Sequence, residues 1–222
     1  MFNKVLFIGR KNCKYSKKLE VYLKKKTKYL KVIYSNKKNT NLKTKAYEYV
    51  FCFRSHIILK NNFINKIQNS VINFHPGPPN YRGIGCVNYA LFDGVKTYGS
   101  TCHLIENENI DEGKILNLKK FKIKKNDDLE AVLNLTYKNM LIQAKKIIDH
   151  LCKNKTNLNI LIKKNNHLKW SNKIKKLHDL NKFYEIDLKY NKKKFHKKIR
   201  ATNTKNFKPY IIFHGKKFLY DE

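Results

Sequence analysis

The sequence contains very little arginine for a chain with so many basic residues. Only Arg10, Arg54, Arg82 and Arg200 occur among 49 basic residues, against 16 acidic ones, for a formal net charge of +33. Recognition of nucleic acid relies on the planar guanidinium for bidentate contacts, whereas lysine gives a diffuse positive field. The composition therefore argues against a nucleic-acid-binding protein. The lysine excess, with abundant Asn, Ile, Tyr and Phe, fits compositional drift in an AT-rich genome, although a positive field would still attract an anionic small substrate.

The five cysteines form no familiar pattern. Their number is odd and none are spaced as Cys-x-x-Cys, so neither a disulfide framework nor a zinc site is indicated. The apolar run in the opening residues MFNKVLFIGR is too short for a signal peptide, and no stretch of the sequence approaches a membrane span. We therefore expect a reduced, cytoplasmic protein without a metal ion.

Proline and glycine are scarce, and they concentrate in one loop. Three of the four prolines and three of the eight glycines lie in HPGPPNYRGIG, residues 75–85. Proline fixes φ and glycine permits unusual backbone angles, so this loop is expected to be rigid and tightly turned.

Short apolar runs alternate with amphipathic stretches up to about residue 153. Apolar runs between turn residues predict buried strands at 4–9, 30–35, 47–53, 70–74, 96–105 and 113–123. Helices are predicted at 16–26, at about 61–68, before Gly94, and from a cap at Asp127 or Asp128 to about Cys152. This order predicts an α/β fold with a Rossmann-like, mostly parallel sheet, and a site at the carboxyl ends of its strands.

The remaining residues are more polar and irregular. NLNILI (157–162), the surroundings of Trp170 and PYIIFHGKKFLY (209–220) suggest small strands, the last as a hairpin that turns at His214–Gly215. We expect a main domain over residues 1–153 and a small β-containing subdomain over 154–222.

Three polar residues around the proline-rich loop predict an acyl-transfer site. Asn73 and His75 end a predicted strand, and Asp111 follows 38 residues after Asn73. An imidazole can exchange a proton with a reacting group, and a nearby carboxylate would fix its tautomer. The Asn73 amide could stabilise charge on an oxygen during the reaction. Because no serine or cysteine lies in a recognisable nucleophile turn, direct transfer between two bound substrates is favoured.

Each of these residues also has a purely structural interpretation. An Asn-x-His after a strand is commonly a capping arrangement, and Asp111-Glu112-Gly113 alone is an ordinary turn. His103 alternates with apolar residues and is expected in the core or in support of the site. Cys86 and Cys102 are expected to be small core residues rather than nucleophiles.

The combined motif resembles the formyltransferases that use 10-formyltetrahydrofolate. Their shared pattern is Asn-x-His-Pro, a loop ending in aromatic-Arg/Lys-Gly, a Thr-x-His strand and Asp-x-Gly. Here it reads NFHP, NYRG, TCH and DEG, and the resemblance is strong over about residues 47–123. It implies the formyltransferase fold, a formyl-transferring enzyme with no metal, and a catalytic role for Asn73, His75 and Asp111.

The resemblance also implies binding residues. Segment 50–59 resembles the region that holds the pterin ring, which makes Ser55, His56, Ile57 and Leu59 candidate folate contacts. The end of the proline-rich loop, Tyr81-Arg82-Gly83, is the candidate contact for the second substrate.

Among family members, the sequence is most similar to the sugar N-formyltransferases. DLNKFYEIDL (179–188) and KKIRATNTKNFKPYIIFHGKKF (197–218) resemble their C-terminal segments. The implied acceptor is a nucleotide-linked amino-dideoxysugar, such as dTDP-4-amino-4,6-dideoxyglucose, and the resemblance is compatible with a homodimer. Three alternatives stay open: a methionyl-tRNA formyltransferase, a hydrolase of the formylfolate, and a lysine-rich nucleic-acid-binding protein.

Overall fold

The computed structural model describes residues 1–35, 42, 46–154 and 158–221. Ten strands and seven helices lie within this part of the chain. The strands are β1 (Phe2–Arg10), β2 (Thr27–Ser35), β3 (Tyr49–Phe53), β4 (Ser70–His75), β5 (Arg82–Gly83), β6 (Thr97–Leu104), β7 (Ile115–Lys122), β8 (Ile174–Lys175), β9 (Tyr210–Phe213) and β10 (Lys216–Leu219). The helices are α1 (Lys14–Lys24), α2 (Asn61–Ile64), α3 (Cys86–Asp93), α4 (Leu129–Asn154), α5 (Leu158–Asn165), α6 (Leu177–Phe183) and α7 (Lys192–Thr202).

Six strands form the central sheet, in the order β2-β1-β3-β4-β6-β7. The first four run parallel, whereas β6 pairs antiparallel with β4 and with β7. The predicted α/β fold with a mostly parallel sheet is therefore confirmed. The carboxyl ends of β1, β3 and β4 meet at one edge of the sheet, and the amino-terminal half of β6 reaches the same edge.

The central strand β3 is apolar at every position and is covered on both faces. All five residues of β3 are buried, with Phe51 and Phe53 packed on one face and Val50 and Cys52 on the other. Helices α1 and α4 cover the first face, whereas the loop and short helix after β3 cover the second. Burial of this apolar surface is the main source of stability.

Several predicted elements have different bounds in the structure. Helix α1 begins and ends two residues earlier than predicted, and α2 ends at Ile64 rather than near Gln68. The cap of α4 is confirmed at Asp128, whose carboxylate accepts a hydrogen bond from Ala131 N at 2.7 Å. Gly94 ends α3, as predicted, and has φ at +76°.

The C-terminal region contains both a wrong prediction and a confirmed one. NLNILI was predicted as a strand, but residues 158–162 belong to helix α5, and position 157 lies outside the described residues. No strand includes Trp170; the nearest is the two-residue β8, which pairs with β5. The hairpin of β9 and β10 is confirmed, with His214 and Gly215 at positive φ in the turn.

The segment after residue 154 packs closely on the rest of the molecule. Helix α7 lies against α3, and the Asn88 amide donates to Ala201 O at 2.7 Å. The division at residue 153 stays a prediction. Within the described part of the chain, no helix is long and apolar enough to cross a membrane, and no cluster of three or more His, Cys, Asp or Glu could hold a metal ion.

Candidate functional site

The sheet register brings Asn73, His75 and His103 together at one edge. Strand β4 ends at His75, and its antiparallel neighbour β6 places His103 directly opposite Asn73. The chain then leaves β6 and returns toward β7, and this connection places Asp111 beside both imidazole rings. The three residues predicted from spacing are therefore close together in the structure.

Asp111 joins the two histidines. Its Oδ2 lies 3.2 Å from His75 Nδ1 and accepts a hydrogen bond from Gly83 N at 3.2 Å, and its Oδ1 lies 3.4 Å from His103 Nε2. Asp111 is only 8% exposed and has φ at +48°, a left-handed conformation uncommon outside glycine. Burial alone would raise the pKa of this carboxyl, but His75 and His103 hold it well below its ordinary value.

Both nitrogens of the His75 ring face hydrogen-bond acceptors. Nδ1 faces the Asp111 carboxylate, and Nε2 lies 2.9 Å from the carbonyl oxygen of Tyr81. A ring that donates from both nitrogens carries two hydrogens and is therefore a cation. Burial alone would lower the pKa of His75, but the charge of Asp111 holds it well above its ordinary value. The site thus contains a buried imidazolium–carboxylate pair.

His103 orients Asn73. Its Nδ1 donates to the carbonyl oxygen of Leu104 at 2.8 Å, and its Nε2 lies 3.0 Å from Asn73 Nδ2. The Asn73 amide carries two N–H donors, so one hydrogen remains for a ligand when the other bonds His103. This arrangement agrees with the expected supporting role of His103.

Sequence reasoning missed Trp170, which packs against both histidines. Its indole lies edge-on to the ring of His103, with centroids 4.9 Å apart, and to the ring of His75, at 5.6 Å. The indole N–H donates to the carbonyl oxygen of Gly113 at 2.9 Å, which ties it to the segment carrying Asp111. The one available signal was that Trp170 is the sole tryptophan of the chain.

The proline-rich loop is held against the site by buried side chains. Thr101 Oγ1 donates to Gly77 O at 2.7 Å, and Tyr98 OH donates to Pro76 O at 2.9 Å. Cys86 is buried as expected, but its sulfur also lies 3.6 Å from His75 Nε2. A Cβ on Gly77 would lie 2.9 Å from His75 Nε2, so glycine is needed there for the loop to approach the ring.

A cavity of about 340 Å³ opens at these residues. Its walls include Asn73, His75, His103 and Asp111. All four predicted folate contacts also line it: Ser55, His56, Ile57 and Leu59. Residues 55–59 form neither helix nor strand. Ile57 N donates to Ser55 Oγ at 3.0 Å, and the other backbone groups of this segment could bond a ligand with amide-like edges. Folate contact by these residues stays a prediction.

The three residues predicted to contact the acceptor, Tyr81, Arg82 and Gly83, do not all line the cavity. Gly83 lines the cavity, but Tyr81 and Arg82 do not. The Tyr81 hydroxyl donates to Asp93, and the buried Arg82 guanidinium donates twice to Ile110 O and once to Glu112. Arg82 therefore holds the Asp111 segment in place, and contact of Tyr81, Arg82 and Gly83 with a substrate stays a prediction.

Comparison with known proteins identifies a family and a fold. The family model described as "Formyl transferase" matches residues 7–171. A 4-N formyltransferase from Francisella tularensis superposes with a TM-score of 0.76 at 21% identity, over 98% of this chain and 96% of that chain. An N-formyltransferase from Helicobacter canadensis, solved with folinic acid and dTDP-3-aminofucose, gives a TM-score of 0.69 at 20% identity, over 90% and 80%. At such identities the solved structures establish the fold alone.

One curated relative matches a shorter stretch. A methionyl-tRNA formyltransferase from Finegoldia magna is 28% identical over 93 residues, which cover 41% of this chain. The match spans 28% of the length of that relative. This similarity adds a second acceptor class to be tested.

Proposed function

Because the chain belongs to the formyl transferase family, we propose that it moves the formyl group of 10-formyltetrahydrofolate to the amine of a nucleotide-linked amino-dideoxysugar, such as dTDP-4-amino-4,6-dideoxyglucose. One observation carries this proposal: Asn73, His75 and Asp111 line the same cavity, and His75 is paired with Asp111 there. The acceptor class is supported by the fold shared with the H. canadensis N-formyltransferase, which was solved with dTDP-3-aminofucose.

The side chains of the site suit a direct transfer. In the reaction the amine nitrogen bonds the formyl carbon, the bond from that carbon to N10 of the folate breaks, and one proton passes from the amine to N10. The cationic His75 and the remaining N–H of Asn73 stabilise negative charge that develops on the formyl oxygen. The cationic His75 gives a proton to N10 and takes one from the amine, or a water held by Asp111 passes the amine proton to N10.

Asp111 acts through His75 rather than as a proton carrier of its own. Its pKa is held well below the ordinary value, so it stays ionised across the physiological range. A permanent carboxylate keeps the adjacent imidazole charged and oriented. Both residues are therefore expected to be required, Asp111 as a fixed negative charge and His75 as the cation that this charge holds in place.

The test is incubation of the protein with 10-formyltetrahydrofolate and a panel of dTDP-linked 3-amino and 4-amino sugars. Mass spectrometry should detect a formylated sugar with the wild-type protein, and Asn73→Ala, His75→Ala and Asp111→Asn should each lower the rate by roughly 10²-fold or more. A hydrolase would instead release the folate with no acceptor present. Near-full transfer by His75→Ala would overturn the mechanism.

Methionyl-tRNA formylation is a second candidate, favoured by the F. magna relative and the +33 net charge. It predicts formylation of methionyl-tRNA and an affinity for tRNA that falls steeply with added salt. A protein that formylates the sugars but leaves methionyl-tRNA unmodified at low salt would exclude it. A protein that binds nucleic acid with no transfer activity, and tolerates all three substitutions, would match the non-enzymatic alternative.

A further inference from the structure

Two of the four arginines lie side by side at one end of the cavity. Arg10 ends β1 and Arg54 directly follows β3, and these strands are parallel neighbours with Gly9 paired to Phe53. Their carboxyl ends therefore meet, and both residues line the same cavity as Asn73, His75 and Asp111. Neither residue was singled out as a site residue by its sequence context.

The two guanidinium groups have few partners within the described residues. Arg54 lies flat over the Tyr137 ring, 3.5 Å from its centroid, and donates to Cys13 Sγ at 3.2 Å. Arg10 Nη1 is buried and has no hydrogen-bond partner in that part of the chain. Neither arginine forms an ion pair within that part of the chain.

This arrangement is unfavourable without an anion. Burial and the charge of Arg54 both lower the pKa of Arg10, so each guanidinium makes the other harder to hold charged. The backbone of Arg54 is also left-handed, with φ at +55°, a conformation that is retained only when its surroundings enforce it. A bound group with several anionic oxygens would supply the missing counter-charge, and two planar forks match phosphate geometry.

Arg10 and Arg54 and the predicted folate contacts lie on opposite sides of the carboxyl edge of the sheet. Tyr137, which stacks on Arg54, packs with the cluster of α1 and α4 on one face of the sheet. Ile57 and Leu59, the predicted folate contacts, pack with the cluster on the opposite face. The catalytic residues lie at the carboxyl edge between these ends, so two substrates could meet there from opposite sides.

Building on the proposed function, we propose that Arg10 and Arg54 form the site that binds the diphosphate of the nucleotide-linked acceptor. The diphosphate would bond the buried Nη1 of Arg10 and the free donors of Arg54, and the attached sugar would extend along the cavity toward His75. The same donors could instead bind the glutamyl carboxylates of folate, so the experiment must separate the two anions.

The experiment is calorimetric titration of the protein with inorganic pyrophosphate and, separately, with folinic acid. We expect Arg10→Gln and Arg54→Gln each to weaken pyrophosphate binding at least 10-fold and to leave folinic acid binding within about twofold. Arg10→Lys keeps the positive charge but lacks the planar guanidinium that can donate two parallel hydrogen bonds, so an intermediate affinity for pyrophosphate is expected. Lys146→Gln is the matched control for loss of one charge, since Lys146 is exposed on α4 and should bind pyrophosphate as the wild type does.

Two outcomes would overturn the proposal. One is wild-type pyrophosphate affinity in Arg10→Gln and Arg54→Gln. The other is a loss confined to folinic acid, which would assign the arginines to the folate. Thermal melts check folding, and if Arg54→Gln does not fold, Arg10→Gln decides alone. Because pyrophosphate binding is measured without any transfer, a failure of the proposed activity on sugars would be seen separately in the mass-spectrometric assay.

Discussion

The Asp111 carboxylate determines the protonation state of His75. In Asp111→Asn the negative charge 3.2 Å from Nδ1 is lost, while the shape of the side chain is retained. We expect the rate to fall roughly 10²-fold, because the imidazole loses its fixed orientation and much of its charge. The pH dependence should change as well, with a direction set by the pKa of His75.

The sign of that change follows from the raised pKa of His75. In the wild type the cation persists well above pH 6.5, so the rate should fall only far on the alkaline side. Without Asp111, burial lowers the pKa of His75, and the alkaline fall should move to lower pH. Measurement of kcat/KM against pH tests this, with Glu112→Gln as a control that removes the neighbouring exposed carboxylate. An unshifted alkaline limb in Asp111→Asn would contradict it.

The His75–Asp111 pair also makes the folding stability depend on pH, and the two residues act in opposite directions. The depressed pKa of Asp111 contributes stability that is present above its ordinary value of 3.8 and is lost as the pH falls through the folded value. The raised pKa of His75 contributes stability that is present below 6.5 and is lost as the pH rises through the folded value. The pair therefore stabilises the fold most between these two ordinary values.

The meeting of Asn73, His75 and Asp111 could be predicted from sequence because they share a short stretch with a distinctive proline- and glycine-rich loop. Asn73 and His75 adjoin the proline-rich loop, and Asp111 precedes Gly113 at a fixed spacing. Trp170 could not be found in this way, since it lies 95 positions after His75 and has no local motif. Its contact with the histidines depends on where the chain after α5 crosses the sheet edge.

The connection from β6 to β7 has to fit closely against β6 to position Asp111. A Cβ on Gly113 would lie 1.9 Å from the carbonyl oxygen of Leu104, a fixed backbone atom, so Gly113→Ala must displace this connection. The Gly113 carbonyl group also accepts the hydrogen bond from the Trp170 indole. We expect a loss of about 1–3 kcal/mol in the free energy of unfolding and at least a 10-fold lower rate.

Gly215→Ala is the matched control for this prediction. Gly215 has φ at +72° in the β9–β10 turn, but a Cβ there meets nothing within 4 Å. Alanine should therefore cost about 1 kcal/mol of backbone strain and leave the rate unchanged. Thermal melts and initial rates on both variants are sufficient. A Gly113→Ala protein with the melting temperature and rate of the wild type would show that the connection can move without consequence.

Element types were predictable where apolar patterning and length agreed. The buried runs that form β1, β3 and β4 are short and are bounded by polar turns, which fits strands. NLNILI carries the same apolar signal, but its residues 158–162 belong to α5, an eight-residue helix that packs against β7. Four apolar residues in a short segment do not distinguish these states, and tertiary packing decided for the helix.

The antiparallel placement of β6 was not predictable from its connections. A loop and helix α3 separate β4 from β6, which is the usual spacing of a parallel crossover, yet the two strands pair antiparallel. This placement is what sets His103 opposite Asn73. The pairing of Arg10 with Arg54 likewise depends on β1 and β3 being neighbours, which the order of elements alone does not give.

The net charge of +33 acts on the molecule as a whole. All four arginines make specific contacts or line the cavity. The lysines among the described residues lie mostly at the surface, and the whole sequence has 45 lysines against 16 acidic residues. Mutual repulsion among so many like charges destabilises a compact state, and salt screens it. We therefore expect the folded protein to become more stable as salt is added.

Raising sodium chloride from about 0.05 M to about 0.5 M shortens the screening length from roughly 14 Å to roughly 4 Å. Relief of about 1–2 kcal/mol would raise the melting temperature by roughly 2–8 °C in a chain of this size. The surface ion pairs are weakened by the same salt, but each is worth little, so repulsion should dominate. A triple variant, Lys18→Gln, Lys120→Gln and Lys146→Gln, removes three exposed charges and should show a smaller rise. A melting temperature that stays constant or falls with salt would contradict the prediction that repulsion among the lysines dominates.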